Sequence, residues 1–249
     1  MQKQNTTQNN LILIFIEKAI RKIPIIYYLL RSVVKFTNYF ENDFFYLKKI
    51  FLQKKINIID IGASDGISAL FFLRNLNPNK IFCYEPQEIF VKKLEKLKQK
   101  YSNLIIFNYG IGLKKSKMKI FFPCFYFIYK KFFLLTYSFQ KKIELQKQIE
   151  TDFFFKPKIE KSYIKIRKFS LLKEKIDLIK IDTNGSEIEI IKCLTNQIKR
   201  DKPILIIENN NIKLIYNILK KYNYKKFIVN GNNLFPHKNQ NNANIIFKV

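Results

Sequence analysis

From Lys55 to the C-terminus, short apolar runs alternate with stretches of helical periodicity. That alternation predicts βαβ units and a parallel sheet, because a strand buried on both faces reads as a continuous apolar run and the crossover between parallel strands is a helix. Ile56 to Ile61 approaches such a run, with four isoleucines around Asn57 and Asp60, and a glycine-containing turn follows it. A helix is expected from about Ser68 to Asn75, stopped by Asn77-Pro78-Asn79. Ile81 to Tyr84 gives a second strand. Phe90, Leu94, Leu97 and Tyr101 then recur on one helical face, and Leu104 to Phe107 gives a third strand. The rhythm breaks between Lys114 and Lys161, where an aromatic stretch (Phe125 to Phe133) precedes a charged, helix-compatible piece (Gln140 to Glu150). So long a connection reads as an insertion. Two readings fit it, a cover over an active site and an excursion with a small hydrophobic cluster of its own. Strands resume at Tyr163 to Phe169, Asp177 to Ile181, Ile204 to Ile207, Phe227 to Val229 and Ile245 to Phe247. Helical faces are marked by Ile188, Ile191, Leu194 and Ile198, and then by Leu214 to Tyr222. The length, 249 residues, suits one α/β core.

Charge adds less than its size suggests. The formal net charge is +27, a balance that usually points to nucleic acid or an anionic membrane surface. Yet only Arg21, Arg31, Arg74, Arg167 and Arg200 are arginines; the other basic residues are lysines, in a chain also rich in Asn, Ile, Phe and Tyr. Codon bias yields that mixture, and arginine is the residue suited to bidentate phosphate and base recognition. No specific nucleic-acid partner is therefore expected. Cys83, Cys124 and Cys193 are odd in number and widely spaced, which argues against a disulfide framework or zinc site and fits a reducing, cytoplasmic setting. With His237 as the sole histidine, no metal centre is expected, and His237 itself reads as a surface residue. The first ten residues are polar and no small-residue cleavage site follows them, so no secretory leader is expected. The apolar runs Leu11 to Ile16 and Ile23 to Leu30 are too short and too interrupted by charge to span a bilayer. They read either as helices packed beside the main domain or as an amphipathic segment making peripheral membrane contact.

Three groups of residues carry chemistry. The first is Asp60-Ile61-Gly62-Ala63-Ser64-Asp65-Gly66, at a strand end leading into a helix. Gly62 and Gly66 permit a tight turn and close approach to a ligand. The pattern is GxxxG rather than GxGxxG, and Asp60 would repel a pyrophosphate, which disfavours a dinucleotide. The second is Glu85, which ends the second strand 19 residues after Gly66, where a carboxylate can accept hydrogen bonds from ribose hydroxyls. The third is Asp177 to Glu187, in which strand alternation puts Lys180 and Asp182 on one side, with Glu187 close by and Glu208 ending the neighbouring strand. Buried in an apolar strand, Lys180 needs an acidic partner.

In this order and spacing, DIGASDG (60–66), YEP (84–86), GIG (110–112), DLIKIDTNGSE (177–187) and PILIIE (203–208) resemble FkbM-type methyltransferases, class I S-adenosylmethionine enzymes. The resemblance covers roughly residues 55–249. It implies a Rossmann-like α/β fold with a mostly parallel seven-stranded sheet and helices on both faces. Residues 51–249 would form the methyltransferase domain, with 114–161 as the insertion and 1–50 as an N-terminal helical extension. It also implies O-methylation of a hydroxyl on a sugar, glycolipid or secondary metabolite, with S-adenosylmethionine as methyl donor. Asp60, Gly62, Ala63, Ser64 and Gly66 would wrap the methionine portion, Glu85 would hold the ribose, and Asn108 and Tyr109 would lie near the adenine. Asp182 would sit beside the transferred methyl, taking the acceptor proton or orienting the acceptor, with Lys180 and Glu187 fixing its geometry. Family members usually read Lys-x-Asp-x-Glu-Gly-x-Glu here, whereas this chain has Asn184 at the first glutamate. That change keeps a catalytically degenerate binding module open beside the enzyme, and the positive charge keeps open a nucleic-acid methyltransferase.

Overall fold

A computed structural model describes residues 42–249 except 128–129, 154–156, 232 and 239–242. The apolar runs before residue 41, and the helical or membrane-associated roles they suggest, lie outside the described residues. The chain divides into two compact units: Ile120–Ser162 belongs to one, and Asn38–Lys119 with Tyr163–Val249 forms the other.

The larger unit is built on an eight-stranded mixed sheet. A first described helix, α1 (Asn42–Ile50), precedes β1 (Lys55–Ile61), α2 (Ile67–Asn75), β2 (Asn77–Tyr84), α3 (Glu88–Lys98), β3 (Leu104–Phe107) and a short β4 (Gly110–Ile111). Beyond the insertion come β8 (Leu178–Ile181), α5 (Glu187–Cys193), α6 (Thr195–Asp201), β9 (Ile204–Glu208), α7 (Ile212–Leu219), β10 (Lys225–Asn230), β11 (Asn233–Pro236) and β12 (Asn244–Lys248). The strand order is β11-β10-β12-β9-β8-β1-β2-β3. The five strands from β9 to β3 are parallel. β12 pairs antiparallel with both β9 and β10, and β11 pairs antiparallel with β10.

This is the Rossmann-like α/β fold the sequence implies, with one strand more than the seven expected. The added strand is β11, in the asparagine-rich stretch between the two expected closing strands; it pairs antiparallel with β10 from Asn230↔Asn233 to Phe227↔Pro236. The expected strand at Tyr163 to Phe169 is instead the end of a longer β7 (Lys158–Arg167), which leaves the main sheet and pairs with β4 through Gly110↔Ile166 and Ile111↔Arg167. β2 begins at Asn77, so Asn77-Pro78-Asn79 opens a strand rather than only closing a helix.

Alternation along the strands divides the core in two. Ile59, Ile61, Ile179, Ile181, Leu205 and Ile207 face α5, α6 and α7. Ile56, Ile58, Ile81, Cys83, Leu178 and Ile206 face Phe44 and Leu47 of α1, Phe71 and Phe72 of α2 and Leu94 of α3. The second set matters for chemistry. Asp60 follows Ile58 by two residues, Glu85 follows Cys83, Lys180 and Asp182 follow Leu178, and Glu208 follows Ile206. Five ionisable residues thus leave the sheet on one face at the carboxyl ends of its parallel strands, where open α/β sheets bind ligands.

In the smaller unit, the outer part of β5 (Ser116–Phe127) pairs antiparallel with β6 (Lys130–Phe133). The helix α4 (Lys142–Asp152) contributes Leu145 and Ile149, which bury with Leu134 and Phe153 against Phe121, Phe125 and Phe139. The insertion therefore has a hydrophobic cluster of its own.

Candidate functional site

The loop after β1 is a sharp corner. Gly62, Ser64 and Gly66 all adopt positive φ (75°, 50° and 83°), a region that disfavours side chains bearing a Cβ. The amides of Gly62 and Ala63 donate to the Tyr84 carbonyl, and Gly66 N–H donates to the carbonyl of Ala63. Glycine is obligatory at 62 for a second reason: an added Cβ would sit 1.9 Å from the Asp182 carbonyl oxygen. The corner and the end of β8 are therefore in backbone contact.

Glu85 closes the loop from the neighbouring strand. One carboxylate oxygen accepts from Ser64 N–H at 2.8 Å and the other from Gln87 N–H at 2.8 Å. The side chain is buried, and burial pushes its acid pKa up to about 7, against the opposing pull of the two amides and of Lys180. Each oxygen retains a second lone pair, so the carboxylate can still accept hydrogen bonds from a vicinal diol.

Lys180 lies between two acids. Its Nζ donates to the Gly62 carbonyl at 3.0 Å and forms ion pairs with Asp182 Oδ2 at 3.3 Å and Asp60 Oδ1 at 3.5 Å. Burial alone would lower its pKa, but the two carboxylates outweigh that and hold it above the ordinary lysine value. The partner the sequence required for this lysine is thus a pair. Asp60 is fully buried, with Oδ2 accepting from Ser68 Oγ at 2.6 Å, and burial raises its pKa despite Lys180 and Ser68. Asp60 Oδ1 has no hydrogen-bond partner closer than the Lys180 contact. The Asp182 side chain is 48% exposed.

Glu187 is spent on the turn before its helix. Oε1 accepts from Thr183 N–H, Thr183 Oγ1 and Gly185 N–H at 3.1, 2.9 and 3.0 Å, and the residue is 1% exposed. It therefore shapes the 183–185 turn rather than facing a ligand. Asn184 and Gly185 in that turn have φ of 53° and 108°. Asparagine tolerates the left-handed region far better than glutamate does, which gives the departure at 184 a conformational rationale. Glu208 accepts from Asn210 Nδ2 at 2.7 Å and from the Asn184 backbone. Burial, then Asp182 and Glu187, raise its pKa to about 8. The sequence placed Glu208 at the end of the neighbouring strand, within reach of the Lys180–Asp182 cluster, and the β8–β9 register, Ile181↔Ile207, sets it beside Asp182.

Asn108 is exposed directly after β3, and Tyr109 packs against Tyr84 and Phe107 with the Arg167 guanidinium 5.1 Å from its ring centre. Gly110 and Gly112 accommodate Ile166 of β7, whose side chain lies 2.8 and 2.5 Å from where Cβ atoms would be. His237 is buried at 8% exposure rather than on the surface. No metal-binding group of His, Cys, Asp and Glu occurs among the described residues, and none of their helices is long and apolar enough to cross a membrane.

The fold has relatives among solved structures. A methyltransferase FkbM from Methylobacillus flagellatus KT is 14% identical, with a TM-score of 0.50 over 80% of this chain and 47% of that one. This chain thus spans about half the length of that protein. A putative methyltransferase from Streptococcus mutans, solved with S-adenosylhomocysteine, is 11% identical, with a TM-score of 0.44 over 83% of this chain and 96% of that one. A putative caffeoyl-CoA O-methyltransferase from Staphylococcus aureus is 11% identical, with a TM-score of 0.42 over 89% and 91%. No curated protein matches the chain. The model of the methyltransferase FkbM domain matches residues 60–226, a span that runs from the acid of the glycine corner past β9 and α7 into β10. By that match the chain belongs to the FkbM methyltransferase family.

Proposed function

We propose that the protein is an S-adenosylmethionine-dependent methyltransferase acting on a hydroxyl of a small molecule or glycan: a sugar, a glycolipid or a secondary metabolite. The observation that carries this reading is the convergence of the Asp60–Gly66 corner, Glu85 and the Lys180–Asp182 pair on one sheet face. The residues fit the cofactor. Glu85 has lone pairs left for two ribose hydroxyls. The 62–66 backbone leaves room for a chain to pass close by. The buried, under-bonded Asp60 Oδ1 offers an acceptor to an α-ammonium group.

S-adenosylmethionine supplies an already activated methyl, so the protein's task is alignment. Asp60, Gly62, Ala63, Ser64 and Gly66 hold the methionine portion and Glu85 the ribose, with Asn108 and Tyr109 bordering the adenine. Asp182, held by Lys180, faces the acceptor. Glu187 acts at one remove by fixing the 183–185 turn. The test is calorimetric titration with S-adenosylmethionine and S-adenosylhomocysteine, followed by a search for methyl incorporation into a cell-envelope glycan and lipid extract. Both compounds should bind. Asp182→Asn should leave S-adenosylhomocysteine affinity within a few-fold and lower incorporation at least a hundredfold. Failure to bind either compound would refute the reading.

A further inference from the structure

Four acids stand near the carboxyl ends of β1, β8 and β9, and their commitments differ. Asp60 is buried between Ser68 and Lys180. Glu187 has its oxygens on the 183–185 turn. Asp182 has its Oδ2 ion-paired to Lys180 Nζ at 3.3 Å, so that oxygen is already engaged by a cation. Glu208 is different. It leaves β9 on the same face as Lys180 and Asp182 and stands next to Asp182 in the register of paired strands. No ion pair engages it among the described residues. Its hydrogen bonds come from neutral donors, the Asn210 amide and the Asn184 N–H.

Resting on the methyltransferase reading above, we propose that Glu208, and not Asp182, takes the acceptor's proton during methyl transfer. In that step the acceptor oxygen forms a bond to the methyl carbon and the carbon–sulfur bond breaks with its electron pair going to sulfur. The oxygen's proton passes to the Glu208 carboxylate, which returns it to water after product release. Asp182 and Lys180 position the acceptor. The charged groups facing Glu208 are Asp182 and Glu187, which favour its protonated form, and Lys180, which opposes them. Set by burial at about 8, this acid is well matched to a proton transfer near neutral pH.

A carboxyl group beside the methyl also senses the charge of the bound nucleotide. S-adenosylmethionine carries a sulfonium and S-adenosylhomocysteine does not, so near pH 7.5 the first should expel more protons on binding. The experiment measures binding of both compounds by calorimetry in phosphate and in Tris, whose ionisation enthalpies differ, for the wild type, Glu208→Gln, Glu208→Asp and Asp182→Asn. Glu208→Gln should abolish the difference in proton release while S-adenosylhomocysteine affinity stays within about twofold. Glu208→Asp should retain the difference, and Asp182→Asn should shift it to lower pH. In the extract assay at saturating S-adenosylmethionine, incorporation by the wild type should rise with pH towards a plateau above about 8, and by Asp182→Asn towards one reached at lower pH, because the charge that favours protonated Glu208 is gone. At the same saturation, which removes the pH dependence of nucleotide binding through Glu85, Glu208→Gln should be at least a hundredfold slower and flat in pH. Retention of both the proton difference and the pH profile in Glu208→Gln would overturn the assignment. Loss of S-adenosylhomocysteine binding in that variant would also overturn it, by assigning Glu208 to cofactor binding. A wild type that binds neither compound would overturn the methyltransferase reading itself, and the proton role with it.

Discussion

At the scale of the residue, Glu85 links the ligand to pH. Burial raises its folded pKa to about 7 from an ordinary 4.5, so between those values the ligand-free folded chain keeps a proton that the unfolded chain has released. Its contribution to stability is therefore full below pH 4.5 and is lost as pH rises through 7. Ribose hydroxyls donate to the ionised carboxylate, so binding runs the other way. S-adenosylhomocysteine affinity should be highest above pH 7 and fall up to tenfold per unit below it. Glu85→Gln should flatten that slope and weaken binding at pH 8. A pH-independent affinity in the wild type would remove Glu85 from the ribose. The placement of such positions was legible from strand ends: Asp60, Glu85, Lys180 and Asp182 stand together because alternation and strand ends put them there. What the linear chain hides is how each oxygen is spent. Glu187 and Asp182 are five residues apart and look equivalent, yet one is consumed by its own turn and the other faces outward at 48% exposure.

At the scale of the element, the join between β1 and β8 depends on a missing side chain. A Cβ on Gly62 would meet backbone, the Asp182 carbonyl at 1.9 Å, in a left-handed conformation as well. Backbone cannot swing aside, so Gly62→Ala should cost at least about 2 kcal/mol in chemical denaturation. Gly110→Ala meets Pro86 at an ordinary 3.7 Å and the Cδ1 end of Ile166 at 2.8 Å, which can rotate, and should cost about 1 kcal/mol or less. Equal losses would mean that the corner has freedom the geometry denies it. Parallel strands were legible here because each is mostly apolar between turn residues, interrupted only by positions such as Asn57, Asp60 and Lys180. The others were not, for identifiable reasons. β11 (Asn233–Pro236) has only Leu234 and Phe235 as strand-forming residues and sits at the sheet edge, where an apolar run is not needed. Tyr163 to Arg167 has the alternation of a strand with one solvated face, which says that it is a strand without saying which sheet it joins. The two ends of the aromatic run from Phe125 to Phe133 pair antiparallel, and no Asn-Gly or Asp-Gly in the run signals it.

At the scale of the whole molecule, the charge sets a different expectation. With 46 basic and 19 acidic residues, most lysines have no acid to pair with even if every acid were paired. Two electrostatic effects compete as salt is added. Screening weakens exposed pairs such as Lys141–Glu144 and Lys131–Glu160, which contribute little at a surface. It also weakens the mutual repulsion of the unpaired lysines, which acts across the molecule and is cut off once the Debye length falls to about 10 Å near 0.1 M salt. The imbalance of numbers makes the second effect the larger one. Raising NaCl from about 0.02 to about 0.3 M should therefore raise the thermal midpoint by several degrees, with most of the gain below about 0.1 M. Sodium chloride is the right salt for this, because phosphate or sulfate could bind a cluster of lysines specifically. A flat or falling midpoint would show that the lysines are spread widely enough not to repel one another, and the sequence charge would then have no bearing on stability. A rise would say that the excess is a load on the fold, the outcome expected if codon composition rather than a polyanionic ligand put it there.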